Sequence, residues 1–222
     1  MIVLVFGQGT SSQGEVYNRS MSALLPLFPL DVVLLPGMPI SLHIFEPRYK
    51  EMIGECLAQD LVFGIVRAGE DSVAQIGCTA EILDVTKRYD DGRMDIVCEG
   101  RRRFEVMNLN QERSFLQAEV TYFDDEPGRV QPEQVNEVLR LYADLAGLVG
   151  AEEGAPEAST PQLSFQLAAP MPLELDFKQI LLGMRMERER IAALVAYFKA
   201  LLPRMRRALR ARQKAGGNGH GM

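Results

Sequence analysis

The sequence lacks the features that most enzyme and membrane assignments depend on. No apolar run approaches the length needed to cross a bilayer; the longest, such as Val32 to Leu35, are a few residues long. No GxxxxGK[S/T] loop is present, nor any Gly-Lys pair, so there is no recognisable phosphate cradle. Histidine is scarce. Of two, His220 lies in the tail, so any Ser-His-Asp or Cys-His set would have to be built around His43. Cysteine is limited to Cys56, Cys78 and Cys98, an odd set without CxxC spacing. That excludes a disulfide scaffold, offers no zinc-ligand pairs, and suits a reducing cytoplasm. Basic residues are also few over most of the chain. From Ile191 onward there are seven Lys or Arg and no acid, whereas residues 1–190 carry 17 basic and 30 acidic side chains. An acidic body with a basic end does not suit a dedicated nucleic-acid-binding domain.

What is present suits a folded domain. The 222 residues are 47% hydrophobic and 24% charged, which excludes a fibre or a largely disordered chain. A chain of this size buries roughly 70% of its unfolded surface. Residues 1–22 read as an extension, flexible or a non-native start, with Met21 the plausible true beginning. Gly7-Gln8-Gly9 follows an apolar stretch. Ser12 takes the place of the third glycine of a dinucleotide fingerprint, and no helical pattern follows.

The first half is strand-like. Leu24 to Leu30 is extended by its prolines, and Val32 to Leu35 leads into a Pro36-Gly37 turn. Ile40, Leu42 and Ile44 alternate with polar neighbours. One helix interrupts, from Pro47 to Gln59, with Tyr49, Met52, Ile53, Cys56 and Leu57 on a single stripe. Strands follow at Leu61–Arg67, Gly77–Tyr89, Arg93–Leu109 and Phe115–Phe123, with Asp90-Asp91-Gly92 as a hairpin turn. Gly77 and Gly100 inside strands mark bends. The whole is a small curled sheet or barrel of about six strands.

After Asp124 to Gly128 the period becomes helical. Val135, Val138, Leu139, Tyr142, Leu145, Ala146 and Val149 form one stripe. A short helix is predicted after a Ser159-Thr160-Pro161 start, another over Asp176 to Leu182, and a long one from Met186 to Arg212 that Pro203 should kink or end. The fold class is therefore α+β, a β-barrel followed by a helical bundle.

The segment Leu25-Pro26-Leu27-Phe28-Pro29-Leu30-Asp31-Val32-Val33-Leu34-Leu35-Pro36-Gly37 resembles the opening of the N-terminal substrate-binding domain of Lon proteases. So do Ile76-Gly77-Cys78-Thr79-Ala80-Glu81-Ile82, the Asp91-Gly92 pair, and Val97-Cys98-Glu99-Gly100-Arg101-Arg102-Arg103-Phe104. Leu42 to Tyr49 is similar to the variant in stand-alone Lon-type domains and cereblon-like proteins. Pro172 to Leu202 resembles the family's helical part. The likeness covers about Leu24 to Leu202. It implies a PUA-like pseudo-barrel over residues 23–127, a helical bundle over 128–212, and a flexible tail over 213–222. In full-length Lon this domain recognises unfolded substrates and helps assemble the hexamer, while ATPase and Ser-Lys peptidase modules follow. Here the resemblance implies a non-catalytic, proteolysis-associated, cytoplasmic domain that binds exposed apolar segments of client or partner proteins. The alternative is a PUA-like RNA- or small-ligand-binding module. Unfolded or partner proteins are the expected partners. Nucleic acid is disfavoured, no membrane is expected, and a weak homo-oligomer stays open.

Two groups of side chains are candidates. Leu34, Leu35, Pro36, Met38, Pro39 and Ile40 form an apolar lead-in that either contacts an extended client or fills the barrel. Glu46, Arg48 and Tyr49 are either a polar binding site or a helix-start ion pair beside a packed aromatic, the latter favoured. Alternation would put Arg101 and Arg103 on one strand face, as phosphate or RNA contacts or, the favoured reading, as solvated or salt-bridged side chains. His43 reads as an ordinary half-buried residue. No catalytic, cofactor-binding or metal-ligating residue is expected.

Overall fold

The computed structural model describes residues 24–70, 72–150 and 154–217. The expectations for residues 1–22 and for the end of the tail at 218–222 fall outside the described residues. Six strands and five helices follow one another as β1 (Leu25–Leu30), β2 (Pro39–Ile44), α1 (Pro47–Gln59), β3 (Phe63–Arg67), β4 (Ile76–Arg88), β5 (Met94–Asn110), β6 (Gln117–Phe123), α2 (Pro132–Val149), α3 (Leu163–Ala168), α4 (Leu175–Gly183) and α5 (Glu187–Gly217). The α+β class and the barrel-then-helices order are as the sequence predicts.

The sheet runs β2-β5-β4-β3-β1-β6, and a further β5–β6 pairing closes β5, β4, β3, β1 and β6 into a ring. Only β1 and β3 are parallel; every other pairing is antiparallel. β5 makes the closure. Its first part pairs with β2 and its last part with β6, while β4 follows it over most of its length. Between these parts Ala80 faces Gly100 and Cys78 faces Arg103, so Thr79 opposes both Arg101 and Arg102. That is a β-bulge, which bends a strand and reverses which side chains face which way. The Thr79 hydroxyl accepts from the Arg102 N–H at 2.9 Å and holds it.

Two cores result. The interior of the ring is small and is filled by Leu25, Leu27, Val66, Phe104 and Ala118. The Phe104 ring lies directly on two glycines. A Cβ on Gly64 would sit 2.7 Å from its Cζ, and one on Gly77 would sit 2.5 Å from it. The larger core lies outside the ring, between the sheet, α1 and the C-terminal helices.

Local signals account for most elements. Pro47 starts α1, and Tyr49, Met52, Ile53 and Cys56 are its buried face. Gly37 (φ +73°) turns the chain, with the Met38 N–H donating to the Leu35 carbonyl at 3.0 Å. α2 ends at Gly150 in the left-handed conformation. Two boundaries differ from expectation. α3 begins after Gln162 (φ +50°), so Ser159 and Thr160 do not cap it. α5 runs through Pro203 and past Arg212, because buried Leu202 and part-buried Met205 hold it to the core on both sides of the proline. Arg206, paired with Asp144 of α2 at 3.3 Å, fastens it beyond the proline.

Overpacking the ring should be costly. Gly77→Ala is expected to cost about 1–3 kcal/mol in urea unfolding, and Phe104→Ala about 3–5 kcal/mol. Gly64→Ala, whose Cβ would meet the Leu25, Leu27 and Phe104 side chains first, should cost clearly less in a Phe104→Leu background than it does alone. Additive costs would contradict this packing.

Candidate functional site

The bulge in β5 decides where the arginines go. Residues facing each other across a ladder share a face, so Arg103 lies on the face of Cys78, towards the helices, and Phe104 points into the ring. The expectation that Arg101 and Arg103 share one strand face is therefore corrected, although both are salt-bridged. Arg103 is 2% exposed, while Arg101 stays at the surface, bound to Glu81 and Glu99.

Arg103 meets Arg190 of α5, which is 0% exposed, over the carboxylate of Asp125. Arg190 donates to Asp125 Oδ1 at 2.8 Å and to Oδ2 at 2.5 Å, and also to Glu187 at 2.5 Å and to the Ser164 hydroxyl at 2.8 Å. Arg103 donates to Asp125 and to the carbonyls of Leu182 (3.1 Å) and Met184 (2.6 Å). Glu187 completes the set, accepting from the Ser164 N–H at 2.8 Å and its hydroxyl at 2.7 Å. The Phe165 ring lies under both guanidiniums, 4.3 Å from Arg190 and 5.4 Å from Arg103. Burial pulls the Arg103 pKa below the ordinary guanidinium value, and Asp125 opposes that. Two buried cations are tolerable because all five Arg190 N–H directions meet acceptors, the fifth being the Met184 carbonyl at 2.8 Å, and Arg103 is bound to Asp125 and two carbonyls. The junction ties β5, the chain after β6, α3, the end of α4 and α5 into one unit.

α3, whose Ser164 and Phe165 are held there, also carries Gln166 and leads into Ala169 and Pro170. Together with Gly37, Met38 and Pro39 of the barrel, Tyr142 of α2 and Pro156, these line a cavity of about 420 Å³, and the Gln166 amide lies against Gly37, where a Cβ would be 2.3 Å from its Nε2. Such a volume lies within the usual range for ligand sites. The apolar lead-in thus divides. Leu34 and Leu35 are 1% and 0% exposed, and Pro36 is buried with them. Their chain crosses β5 so closely that a Cβ on Gly100 would lie 2.2 Å from the Leu35 carbonyl oxygen. These three are core residues, a correction to their place among candidate contacts. Met38 and Pro39 line the cavity, and Ile40 is partly buried against the core. Tyr142, Pro156, Gln166, Ala169 and Pro170 were not singled out as a site, since no local pattern says which barrel loop a helix face will meet.

Glu46, Arg48 and Tyr49 come together at the start of α1. Arg48 pairs with Glu46 at 2.8 Å and lies 4.6 Å over the Tyr49 ring, which stacks on Phe28 at 4.0 Å. A second cavity, of about 370 Å³, adjoins Arg48, Tyr49 and Arg113. Arg113 is already held by Glu51 (2.8 Å) and Glu55 (2.5 Å), so neither arginine there is without a carboxylate partner. His43 is exposed rather than half-buried, and Asp95 binds its Nδ1 at 2.5 Å. The Tyr89 hydroxyl donates to the same carboxylate at 2.9 Å. These two hydrogen bonds hold the Asp95 carboxyl below the usual carboxylate range. Among the described residues no group of three His, Cys, Asp or Glu could hold a metal ion, and no helix is long and apolar enough to cross a membrane.

A closed mixed barrel backed by a helical bundle, with a cavity where they meet, defines an α+β domain architecture. The chain belongs to the family described as the ATP-dependent protease La (LON) substrate-binding domain, whose family model matches residues 24–200. Among similar proteins are Lon protease 1 of Hydrogenovibrio crunogenus, 28% identical over 168 residues, 68% of this chain and 20% of that protein. Another is the Lon protease of Flavobacterium johnsoniae, 25% identical over 141 residues, 60% of this chain and 17% of that protein. The chain thus spans about a fifth of the length of these curated relatives. The crystal structure of a Lon N-terminal domain protein from Xanthomonas campestris is similar with a TM-score of 0.63 and 27% identity, covering 79% of this chain and 98% of that one. The N-terminal domain of a Mycobacterium avium complex Lon protease shares the fold at a TM-score of 0.61 and 20% identity, over 79% of this chain and 98% of that one.

Two measurements check the site. Asp125→Ala leaves two buried guanidiniums short of their shared acceptor and should cost about 3–5 kcal/mol in urea unfolding, against less than about 1 kcal/mol for Arg101→Ala. Equal costs would contradict the buried junction. Burial pushes the thiol of Cys56 up to about 11 and those of Cys78 and Cys98 up to about 12. At pH 8 a thiol of pKa 11 is roughly one part in a thousand thiolate. Ellman's reagent should therefore leave the native protein unmodified and titrate three thiols in guanidinium chloride. Fast native modification would contradict the burial.

Proposed function

We propose that this domain recognises protein substrates by capturing exposed apolar segments of unfolded or partner proteins, without catalysing a reaction itself. The observation that carries the reading is the match of the substrate-binding family over residues 24–200. The geometry agrees with it. The cavity between barrel and bundle has walls of Met38, Pro39, Tyr142, Pro156 and Pro170, which suit apolar side chains, with the Gln166 amide as a polar group and no ionic one. Met38 adds an adaptable surface. The absence of a GxxxxGK[S/T] loop from the sequence supports a role without ATP hydrolysis. Three buried, unpaired thiols support a reducing, cytoplasmic setting. The RNA-binding alternative loses two of its three strand arginines, since Arg103 is buried and Arg101 is bound to two carboxylates, and exposed Arg102 pairs with Asp124 at 3.6 Å.

The test is fluorescence anisotropy with labelled casein. Binding should be saturable, weak per site, and nearly unchanged between low and high salt, because apolar burial rather than counterion release drives it. The purified chain should neither degrade casein nor hydrolyse ATP. No saturable binding, or sustained casein cleavage with or without ATP, would overturn the proposal.

A further inference from the structure

β2 ends the sheet order, with β5 on one side and no strand on the other among the described residues. Its open edge has a defined register. The Gly100 N–H donates to the Met38 carbonyl at 3.0 Å, while the Gly100 carbonyl accepts from the Gly37 N–H at 2.8 Å, so the Met38 carbonyl faces β5 and sets the parity of the ladder. Pairing continues as Ile40 with Cys98 and Leu42 with Ile96. Alternation along an antiparallel ladder therefore turns the main-chain groups of Ile40 and Leu42 towards β5 and those of Ser41 and His43 away from it. The Ile40 and Leu42 side chains are half-buried against the core, while those of Pro39, Ser41 and His43 are exposed. At its Pro39 end, the edge runs directly into the 420 Å³ cavity.

Resting on the reading above, we propose that the Ser41–His43 edge and the cavity beside Pro39 form one site for an extended client segment. The segment adds a strand to β2 through its main chain and places one large apolar side chain in the cavity. The occupant follows from the chemistry. A row of outward N–H and C=O groups is satisfied in series only by another extended main chain. The prolines at positions 39, 156 and 170 line the cavity without N–H donors, which favours an apolar anchor. The polar side chains beside the edge already have partners, His43 with Asp95 and Arg101 with Glu81 and Glu99, which leaves main chain and shape as the means of recognition. A main-chain clamp with a single anchor is tolerant of sequence, as a substrate-recognition domain requires.

The probe is a fluorescein-labelled ten-residue peptide of alternating Val and Thr with one central Phe. Two further versions carry N-methyl groups on alternate residues, one set for each edge of the strand. One of the two should bind at least tenfold more weakly and the other like the parent. Phe→Ala in the peptide and Met38→Asp in the protein should each cost about tenfold, and together little more than either alone. Ser41→Pro, which removes only an outward N–H, should match the weaker N-methyl peptide. Equal binding by all three peptides, or an undiminished Phe preference in Met38→Asp, would overturn the site. Labelled casein measured in parallel separates the two proposals. Casein held equally by wild type, Met38→Asp and Ser41→Pro overturns this site and leaves substrate recognition standing. Casein ignored by the wild type overturns recognition itself.

Discussion

The structure depends on the buried contact between Arg103, Arg190 and Asp125. Burying charge is unfavourable unless each charge is paired and each donor is met. Here one carboxylate bridges two guanidiniums that come from opposite parts of the chain, β5 and α5. Phe165 lies beneath both, Glu187 and Ser164 accept from Arg190, and the Leu182 and Met184 carbonyls accept from the remaining Nη groups. An arrangement of this kind has one geometry in which it is satisfied. Barrel and bundle are fixed to each other by that geometry, not only by apolar burial, which is tolerant of direction.

The consequence for recognition runs through α3. The helix has six residues, too few to hold a position alone. Its Ser164 and Phe165 are gripped by the arginines, its Gln166 reaches the cavity wall, and the turn after it supplies Ala169 and Pro170. On the opposite wall, Gly37 to Pro39 are set by the turn at Gly37 and by its hydrogen bonds with Gly100. A cavity with both walls fixed loses less entropy when a ligand enters, which matters for a site whose individual contacts are weak.

Much of the fold can be read from local residues. Pro47 with the Tyr49–Met52–Ile53–Cys56 stripe marks α1, and Asp90-Asp91-Gly92 marks the β4–β5 hairpin. The site was far less legible. Strict alternation along β5 assumes an unbroken ladder, and the bulge opposite Thr79 exchanges the roles of Arg102 and Arg103. A triple arginine on a strand therefore reads as surface charge, although its last member is the most consequential buried cation of the barrel. Leu34 and Leu35 look like an exposed apolar lead-in because nothing local reveals that their chain crosses Gly100. Pro203 reads as a helix end because the roughly 3 kcal/mol penalty of an internal proline is visible in sequence, whereas the packing of Leu202 and Met205 and the Arg206–Asp144 pair is tertiary.

The central claim is that the arginine junction makes α3 part of one rigid recognition unit with the barrel. Native-state amide hydrogen exchange tests it most directly. If the claim holds, the amides of Phe165 to Ala169 exchange only through global unfolding, with the same free energy and denaturant dependence as those of Ile96 and Cys98 in β5. Exchange of the α3 amides through a local opening well below the global free energy, with β5 still protected, would contradict it.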